Sequence, residues 1–493
     1  MKRLLRMILS RTSLVLLLVL AQLVLLFYIL NFLSQFLYIQ IINYTLSVLI
    51  VLYLMVKEEN PVYKMSWIMP ILIFPLFGGI FYIIYRQQNF SPRIIQRFKQ
   101  IDYERFDYVN HLPELIPHKP VRYLRQLNWP VYQHTKLTFL SSGEAMYQAM
   151  LEDLSRAKSY IFLEFFIINR GIMWDTILTI LEKKAKDGVD IKLIYDDFGS
   201  SSLPYRYHKK LKKMGIDAIP FNPMRLHLNF AMNYRDHRKI VIIDGKVGYT
   251  GGINIGDEYI NLISPFGHWL DTGIRLEGEA VYSLTISFLE NYRFQTNRPI
   301  DYKLYATSYH VPSDGYVAPF NDAPLDKELV SKNMYLSLIN EAKHKIDITT
   351  PYLIIDNELS EALKLSAKSG VQIRIIIPYI PDKKLIFMVT ESYVPELMQA
   401  GVFVYRYTPG FIHSKMMVVD DSEALIGTCN LDFRSLYLHF ENMVYLKDSQ
   451  VIRSMEEFFD ETIKKSKLID QTKKRNPLYR LIQVILRGFS SLM

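Results

Sequence analysis

His237-Arg-Lys239-Ile-Val-Ile-Ile-Asp244 and His413-Ser-Lys415-Met-Met-Val-Val-Asp420 are one pattern written twice in a chain of 493 residues. Thr250-Gly-Gly-Ile-Asn254 follows the first copy and Gly427-Thr-Cys-Asn430 the second. In both, His to Lys is two residues, His to Asp seven and His to Asn seventeen. The aliphatic run inside each copy reads as a buried strand. Side chains at i and i+2 of a strand share a face, so the His and Lys of each copy point together. One such match is weak, because ordinary charges at a solvated strand end produce it readily. Two matches with the same downstream Asn are not explained that way.

The repetition extends outward. Ala185-Lys-Asp-Gly-Val-Asp-Ile-Lys-Leu-Ile194 is echoed by Ala367-Lys-Ser-Gly-Val-Gln-Ile-Arg-Ile-Ile376, and Ala157-Lys158 before Ile161 by Ala342-Lys343 before Ile346. The texture from about residue 136 is α/β: Ser159–Ile168 reads as a strand, Trp174–Lys186 as a helix and Asp190–Tyr195 as a strand. Identities in register across separate elements point to a duplicated domain.

The duplicated residues suit phosphoryl chemistry. Lys239, Lys415, Asn254 and Asn430 can hold anionic oxygens as charge develops. Two imidazoles of near-neutral pKa can serve as nucleophile and general acid. Each needs orientation through its second nitrogen, usually by a carboxylate. Glu441, 28 residues after His413 on a strand read as Phe440–Leu446, is assigned to His413. Asp271, in Trp269-Leu-Asp-Thr-Gly-Ile-Arg275, is the matching acid of the first half, displaced by an apparent insertion at 262–268. Asp244 and Asp420 belong to the catalytic motifs but close their strands, where they hold lysine or backbone N–H groups without moving protons.

No metal and no cofactor is expected. The lone Cys429 excludes a cysteine zinc site and a disulfide framework. The remaining histidines suggest no metal triad; His344 and His439 read as strand-surface residues. Asp196 and Asp197 follow a strand before Gly199-Ser200, where open α/β sheets place sites. Tyr393, Tyr405, Tyr407 and Phe411 lead into the second motif and line a channel or pack the core.

Composition alone leaves the partner open, and the long apolar runs near the N-terminus favour a lipid setting. Half of the residues are hydrophobic and 13% aromatic, with mean hydropathy +0.06, which is high for a soluble protein and excludes disordered, collagen and coiled-coil classes. The excess of 58 Lys+Arg over 49 Asp+Glu suggests an anionic partner, nucleic acid or acidic lipid. Three apolar runs, Ser13–Leu30, Leu37–Val56 and Trp67–Tyr85, each approach the ~20 residues that cross a bilayer. The third is interrupted by Pro70, Pro75, Gly78 and Gly79 and reads as kinked or re-entrant. Cations flank both ends of this region, so the positive-inside rule predicts two true crossings plus a partial insertion, with the soluble part cytoplasmic. The tail, with Lys464, Lys465, Lys467, Lys473, Lys474 and Arg475 before Pro477–Gly488, reads as an interfacial helix on anionic lipid or a docked terminal helix.

The paired motif resembles the phospholipase D superfamily and, within it, the bacterial cardiolipin synthases. The narrower likeness rests on Asn60-Pro-Val-Tyr-Lys-Met-Ser-Trp67, Tyr195-Asp-Asp-Phe-Gly-Ser200, Arg235-Asp-His-Arg-Lys239, Pro409-Gly-Phe-Ile-His413 and Gly427-Thr-Cys-Asn-Leu-Asp-Phe-Arg-Ser435. It runs from about residue 40 to the C-terminus. Departures are the extra apolar run before Asn31 and Gly252 where the other copy has Thr428, which implies unequal half-sites. The resemblance implies two phospholipase-D-like α/β/α sandwiches related by a pseudo-twofold axis behind N-terminal transmembrane helices. The segments are an anchor at 1–86, a linker at 87–135, a first domain at 136–300, a connector at 301–325, a second domain at 326–463 and a basic amphipathic tail at 464–493. It also implies transfer of a phosphatidyl group from one phosphatidylglycerol to another through a histidine, with His237 as nucleophile and His413 as acid. Phosphatidylglycerol and anionic membrane lipids are the implied partners, without nucleic acid, and a homo-oligomer is left open. A lipid phosphodiesterase or membrane-tethered nuclease is the rival on the same fold. An inactive lipid-binding scaffold is the rival from another class, and intact His, Lys and Asn in both copies argue against it.

Overall fold

The computed structural model describes residues 36–57, 60–74, 78–79, 82, 92–109, 118–223, 233–306, 309–325, 328–470 and 476–492, with scattered positions between 20 and 32. The duplication becomes two mixed sheets of matching order. The first half supplies β1 (Thr135–Leu140), β2 (Tyr160–Phe165), β3 (Asp190–Asp196), β4 (Ile216–Phe221), β5 (Arg235–Asp236), β6 (Lys239–Ile243), β7 (Val247–Gly251), β8 (His268–Leu270) and β9 (Gly273–Gly278). The second supplies β10 (Tyr316–Asp322), β11 (Lys345–Thr349), β12 (Leu353–Ile354), β13 (Gln372–Pro378), β14 (Phe403–Tyr407), β15 (Gly410–Ile412), β16 (Met416–Val419), β17 (Glu423–Gly427), β18 (Leu431–Asp432), β19 (His439–Lys447) and β20 (Ser466–Leu468). The sheet orders are β1-β9-β7-β6-β2-β3-β4 and β10-β19-β17-β16-β11-β13-β14-β20. Strand for strand the first seven positions correspond, and β20 is an addition at one edge.

Alternation along the motif strands divides their apolar side chains between three interiors. Ile240 and Ile242 meet Met416 and Val418 in a core shared by both sheets, together with Leu284 and Phe288 of the buried helix Val281–Thr296. Val241 and Ile243 face an outer core of the first half, and Met417 and Val419 one of the second. Each fully buried aliphatic or aromatic side chain contributes about 1.5–3 kcal/mol, against about 1 kcal/mol for a typical hydrogen bond. The shared core therefore fixes the two motif strands relative to each other far more firmly than polar contacts do.

Upstream, Leu37–Val56 is a 20-residue helix of mean hydropathy 2.0, long enough to cross a bilayer. It is the one such helix among the described residues. Asn60 caps the next helix, Pro61–Ile73, by accepting from Val62 N at 2.9 Å, and Ile50 and Leu54 pack on Trp67 and Ile71. At 13 residues this second helix spans about 20 Å, short of the ~30 Å hydrocarbon core. Pro70 lies inside it. A Cβ at Gly78 would fall 2.5 Å from Pro70 O, so glycine is what lets the chain fold back there, consistent with the interrupted third run. The run Ser13–Leu30 lies largely outside the described residues, and of the expected crossings Leu37–Val56 is the one that falls within them.

The tail helix Pro477–Gly488 docks by its polar face. Tyr479 donates to Glu391, Gln483 Nε2 to Met388 O at 3.0 Å and Arg487 Nη2 to Glu396 Oε1 at 2.8 Å, while Ser66 Oγ of the short N-terminal helix donates to Gly488 O at 2.8 Å. Leu478, Leu481, Val484 and Ile485 remain exposed on the opposite side. The tail is thus a docked terminal helix that leaves an apolar face exposed; Lys473–Arg475 lie outside the described residues.

Candidate active site

The chain brings the two motifs together by exchanging short strands between halves. β5, directly before His237, pairs in parallel with the start of β19, Arg235 opposite His439 and Asp236 opposite Phe440. β15, directly before His413, pairs in parallel with β8, Phe411 opposite Trp269 and Ile412 opposite Leu270. His237 N donates to Phe440 O at 2.9 Å and His413 N to Leu270 O at 2.7 Å. Each histidine is therefore fastened to the strand that leads into the other half's acid.

The carboxylates follow. His237 Nδ1 lies 2.9 and 3.0 Å from the oxygens of Glu441, and His413 Nδ1 lies 2.6 Å from Asp271 Oδ2. This corrects the assignment of Glu441 to His413. Both acids reach a motif histidine, but the pairing is crosswise, because each acid faces the cleft from the strand that the opposite motif adds to. Nδ1 is engaged in both rings, which leaves Nε2 for reacting atoms.

Shape explains why the halves carry different acids. Thr428 Oγ1 donates to Glu441 Oε2 at 2.5 Å. At the equivalent Gly252 a Cβ would sit 2.1 Å from Asp271 Oδ1, so glycine there makes room for the acid, which takes its hydrogen bond from Thr272 N at 2.9 Å instead. Thr272 Oγ1 and Ser414 Oγ, 2.6 Å apart, link the halves beside it.

Lys239 and Lys415 are 0% and 1% exposed, and each donates to the carbonyl of its own motif histidine. Burial lowers both, Lys239 to about 7 and Lys415 to about 8, with Glu441 and Asp271 opposing the shift; the charge of Lys415 lowers Lys239 further. Burial likewise takes His413 down to about 4, opposed by Asp271 and reinforced by Lys415 and Lys239. It carries His237 well below the usual range against the pull of Glu441. In the free protein His413 is therefore not favoured as imidazolium: in this buried setting desolvation outweighs the pull of the Asp271 carboxylate. For Glu441 and Asp271 burial acts upward, but the neighbouring histidines, and Lys415 at Asp271, outweigh it and leave both carboxyls below their ordinary range.

The remaining motif residues divide. Asn254 accepts from Ile167 N at 3.0 Å and donates to Tyr259 OH at 2.9 Å; Asn430 donates to Asp432 Oδ2 at 3.0 Å, with its Oδ1 buried and unpaired among the described residues. Asp244 accepts from the backbone N–H groups of Lys158, Ser159 and Tyr160 at 2.7–2.9 Å, and Asp420 from those of Lys343, His344 and Lys345 at 2.6–2.8 Å. Both tie the far end of a motif strand to its neighbour. Arg238, between His237 and Lys239, faces the interior, where it pairs with Asp236 and Glu164 at 2.9 Å each and Asn291 bridges the two acids. Asp196 is buried and accepts from Phe198, Gly199 and Asp236 N–H groups, bracing the approach to His237. Asp197 instead lines a cavity of about 230 Å³ with Tyr195 and His208.

Comparison with known proteins agrees with this geometry. The family described as "Cardiolipin synthase, PLD-like domain" matches residues 150–264 and 335–463, and "Phospholipase_D-nuclease N-terminal" matches 45–87. A protein named cardiolipin synthase from Geobacillus sp. (strain WCH70) is 35% identical over 452 residues, 89% of this chain and 90% of that one. The chain belongs to the bacterial cardiolipin synthases of the phospholipase D superfamily. Cardiolipin synthase 2 of Bacillus anthracis is 35% identical over 454 residues, 89% of this chain and 88% of its own. Among solved structures, phosphatidylserine synthase of Haemophilus influenzae Rd KW20 superposes with a TM-score of 0.57 at 17% identity, covering 76% of this chain and 98% of that one, which shows a common fold.

Within this member of the cardiolipin synthases, the walls of the two half-sites differ. Phe166, 5.1 Å between ring centres, and His439, 5.4 Å, flank His237. Trp269, 5.2 Å, with Tyr259 and Phe411, both 5.8 Å, surrounds His413. Of the four aromatic residues expected near the second motif, Phe411 reaches the histidine, Tyr407 meets His268 at 3.1 Å, Tyr405 lies half-buried against the shared core, and Tyr393 packs toward the tail at Ser490. His439 is not a strand-surface residue. Its side chain is about one-tenth exposed, and the available signal was its place two residues before Glu441 on one strand face. His237, His439 and Glu441 are also close enough to hold a metal ion, with ligand atoms within 4.8 Å of one another, a grouping that sequence spacing did not reveal.

Proposed function

We propose that the protein transfers a phosphatidyl group from one phosphatidylglycerol to a second, giving cardiolipin and glycerol through a covalent phosphatidyl-histidine. The observation that carries this is the crosswise pair of buried His–carboxylate couples, each beside a buried lysine, in a chain of the cardiolipin synthase family. Nε2 of one neutral imidazole attacks phosphorus, the bond to the head-group glycerol breaks, and the second imidazole, as imidazolium, gives its proton to the departing oxygen. The hydroxyl of the second lipid then attacks phosphorus, returns a proton to the second imidazole, and frees the first. The anionic phosphodiester raises the pKa of both imidazoles as it enters, which supplies the protonated partner that the free site disfavours. Lys239 and Lys415, with Asn254 and Asn430, neutralise the phosphoryl oxygens.

His237 is the nucleophile and His413 the acid in this reading, on the resemblance alone, since each has its own carboxylate. Two phospholipase-D-like domains, about 136–300 and 326–463, enclose the site about an approximate twofold axis, behind a multi-pass anchor and facing the cytoplasm. Ser369→Cys, on an exposed helix end, should resist a membrane-impermeant thiol reagent in intact cells and react after lysis; labelling before lysis would reverse the orientation.

The deciding experiment incubates the purified protein with phosphatidylglycerol alone. Cardiolipin and glycerol in equal amounts are expected, with phosphatidyl label trapped on His237. Phosphatidic acid without cardiolipin would make the protein a hydrolase, and label on His413 would exchange the two roles.

A further inference from the structure

His439 is the one imidazole at the centre of the site that the reaction above does not use. Among the described residues neither of its ring nitrogens has a hydrogen-bond partner, a state that native interiors avoid unless a ligand or water completes it. The ring lies against Phe166 at 6.5 Å and against His237 at 5.4 Å. Its Nδ1 stands 3.7 Å from Glu441 Oε1, beyond hydrogen-bond reach, and Glu441 is already engaged by His237 and Thr428.

The other half provides the contrast. Two residues before Asp271 stands Trp269, whose Nε1 is also unpartnered but can only donate, whereas a neutral imidazole offers one donor and one acceptor. Phosphoryl oxygens only accept, and two lysines are already placed for them. An alcohol hydroxyl both donates and accepts, and a glycerol head group carries a hydroxyl next to the one bonded to phosphorus.

We propose that His439 binds the non-reacting hydroxyl of the substrate's polyol head group, forming a vicinal-diol subsite beside His237. This rests on the phosphatidyl-transfer reading and names the part of the substrate that the His237 side of the cleft recognises. No bond to His439 forms or breaks; it is a positioning residue.

The test supplies phosphatidylglycerol with equal concentrations of 1,2-propanediol and 1-propanol, acceptors that differ by one hydroxyl, and measures both phosphatidyl alcohols in one tube. The wild type should favour the diol. His439→Phe should lower the diol-to-propanol ratio about tenfold, the scale set by losing one hydrogen bond to a substrate hydroxyl, and His439→Asn, which keeps a donor and an acceptor, should restore part of it. A loss of folded protein or of general activity cancels in the ratio, and His439→Leu provides a second apolar variant if the Phe variant yields too little product. A wild-type ratio near one, or ratios unchanged in the apolar variants, overturns the subsite. A wild type that makes neither cardiolipin nor any phosphatidyl alcohol from phosphatidylglycerol overturns the transferase reading instead.

Discussion

The two half-sites share a skeleton and differ in their upholstery. Both present a buried lysine two residues after a histidine whose Nδ1 is held by a buried acid, and both acids come from the opposite half. Around His237 the acid is a glutamate braced by Thr428, with Phe166 and His439 as walls; around His413 it is an aspartate fitted against Gly252, with Trp269, Tyr259 and Phe411. Duplication repeats the groups that handle the phosphoryl centre, which is common to both steps. The surrounding residues are free to diverge because the two sides of an in-line displacement see different chemistry.

The sharpest way to break the comparison is to remove one acid at a time. Asp271→Asn and Glu441→Gln should each cost roughly 10²–10⁴-fold in turnover, the range expected when an imidazole loses its orienting carboxylate. The crosswise pairing makes the finer forecast. Asp271→Asn should change the NMR titration of His413 and leave that of His237 near its wild-type course, and Glu441→Gln the reverse. If Glu441→Gln moved His413 instead, the strand exchange would be wrong.

The lysines come next. Lys239→Met or Lys415→Met should lower turnover at least ~100-fold, the scale of a lost oxyanion-hole donor, with the fold retained because the methylene stem still packs. Burial lowers Lys239 to about 7 and Lys415 to about 8, so both lose positive charge as pH rises through that window. kcat/KM for phosphatidylglycerol should therefore fall on the alkaline side of pH 7 to 8, where the free protein titrates. A profile flat from pH 6 to 9 would mean that the lysine charges do not hold the substrate.

A smaller perturbation tests why the acids differ. Gly252→Ala puts a Cβ where Asp271 Oδ1 now lies, 2.1 Å away, and should displace the acid and cost about tenfold or more in turnover. Thr428→Ala removes one hydrogen bond to Glu441 without intruding on it and should cost only a few-fold. Equal effects would show that the glycine is not there for the acid.

Much of this site is legible in the sequence because period-two alternation is a local rule: His237 with Lys239 and His413 with Lys415 share faces whatever the tertiary fold. The acids Asp271 and Glu441 are found by matching positions between copies. Their partners are not, since the pairing of β5 with β19 and of β15 with β8 joins residues 204 and 142 apart in the chain, and a repeat looks the same whether its halves pair within or across. The same rule that links His237 to Lys239 also links His439 to Glu441, but a histidine two residues before an acid on a strand is as often at the surface as in a site, so burial had to decide. Membrane crossings are legible only as length and apolarity. Pro70 and Gly78 show how a run of sufficient length becomes a 13-residue helix and a reversal.

The smallest effect is expected where the halves are alike. Asp244 and Asp420 both adopt left-handed backbone, at φ 54° and 48°, a conformation that Asp and Asn tolerate better than most residues. Each gathers three backbone N–H groups from the strand beside it. Asn at either position keeps the backbone conformation but replaces one accepting oxygen by an amide that donates, so one or two hydrogen bonds to a charged acceptor are lost, at about 1–3 kcal/mol. Asp244→Asn and Asp420→Asn should thus lower the unfolding midpoint in denaturant by similar amounts, while turnover per folded molecule stays within about two-fold of wild type. Equal destabilisation is the consequence of duplicated geometry. A loss of turnover on the scale of the acid variants, in protein that remains folded, would give these two residues a chemical role that their distance along the strand from the histidines argues against.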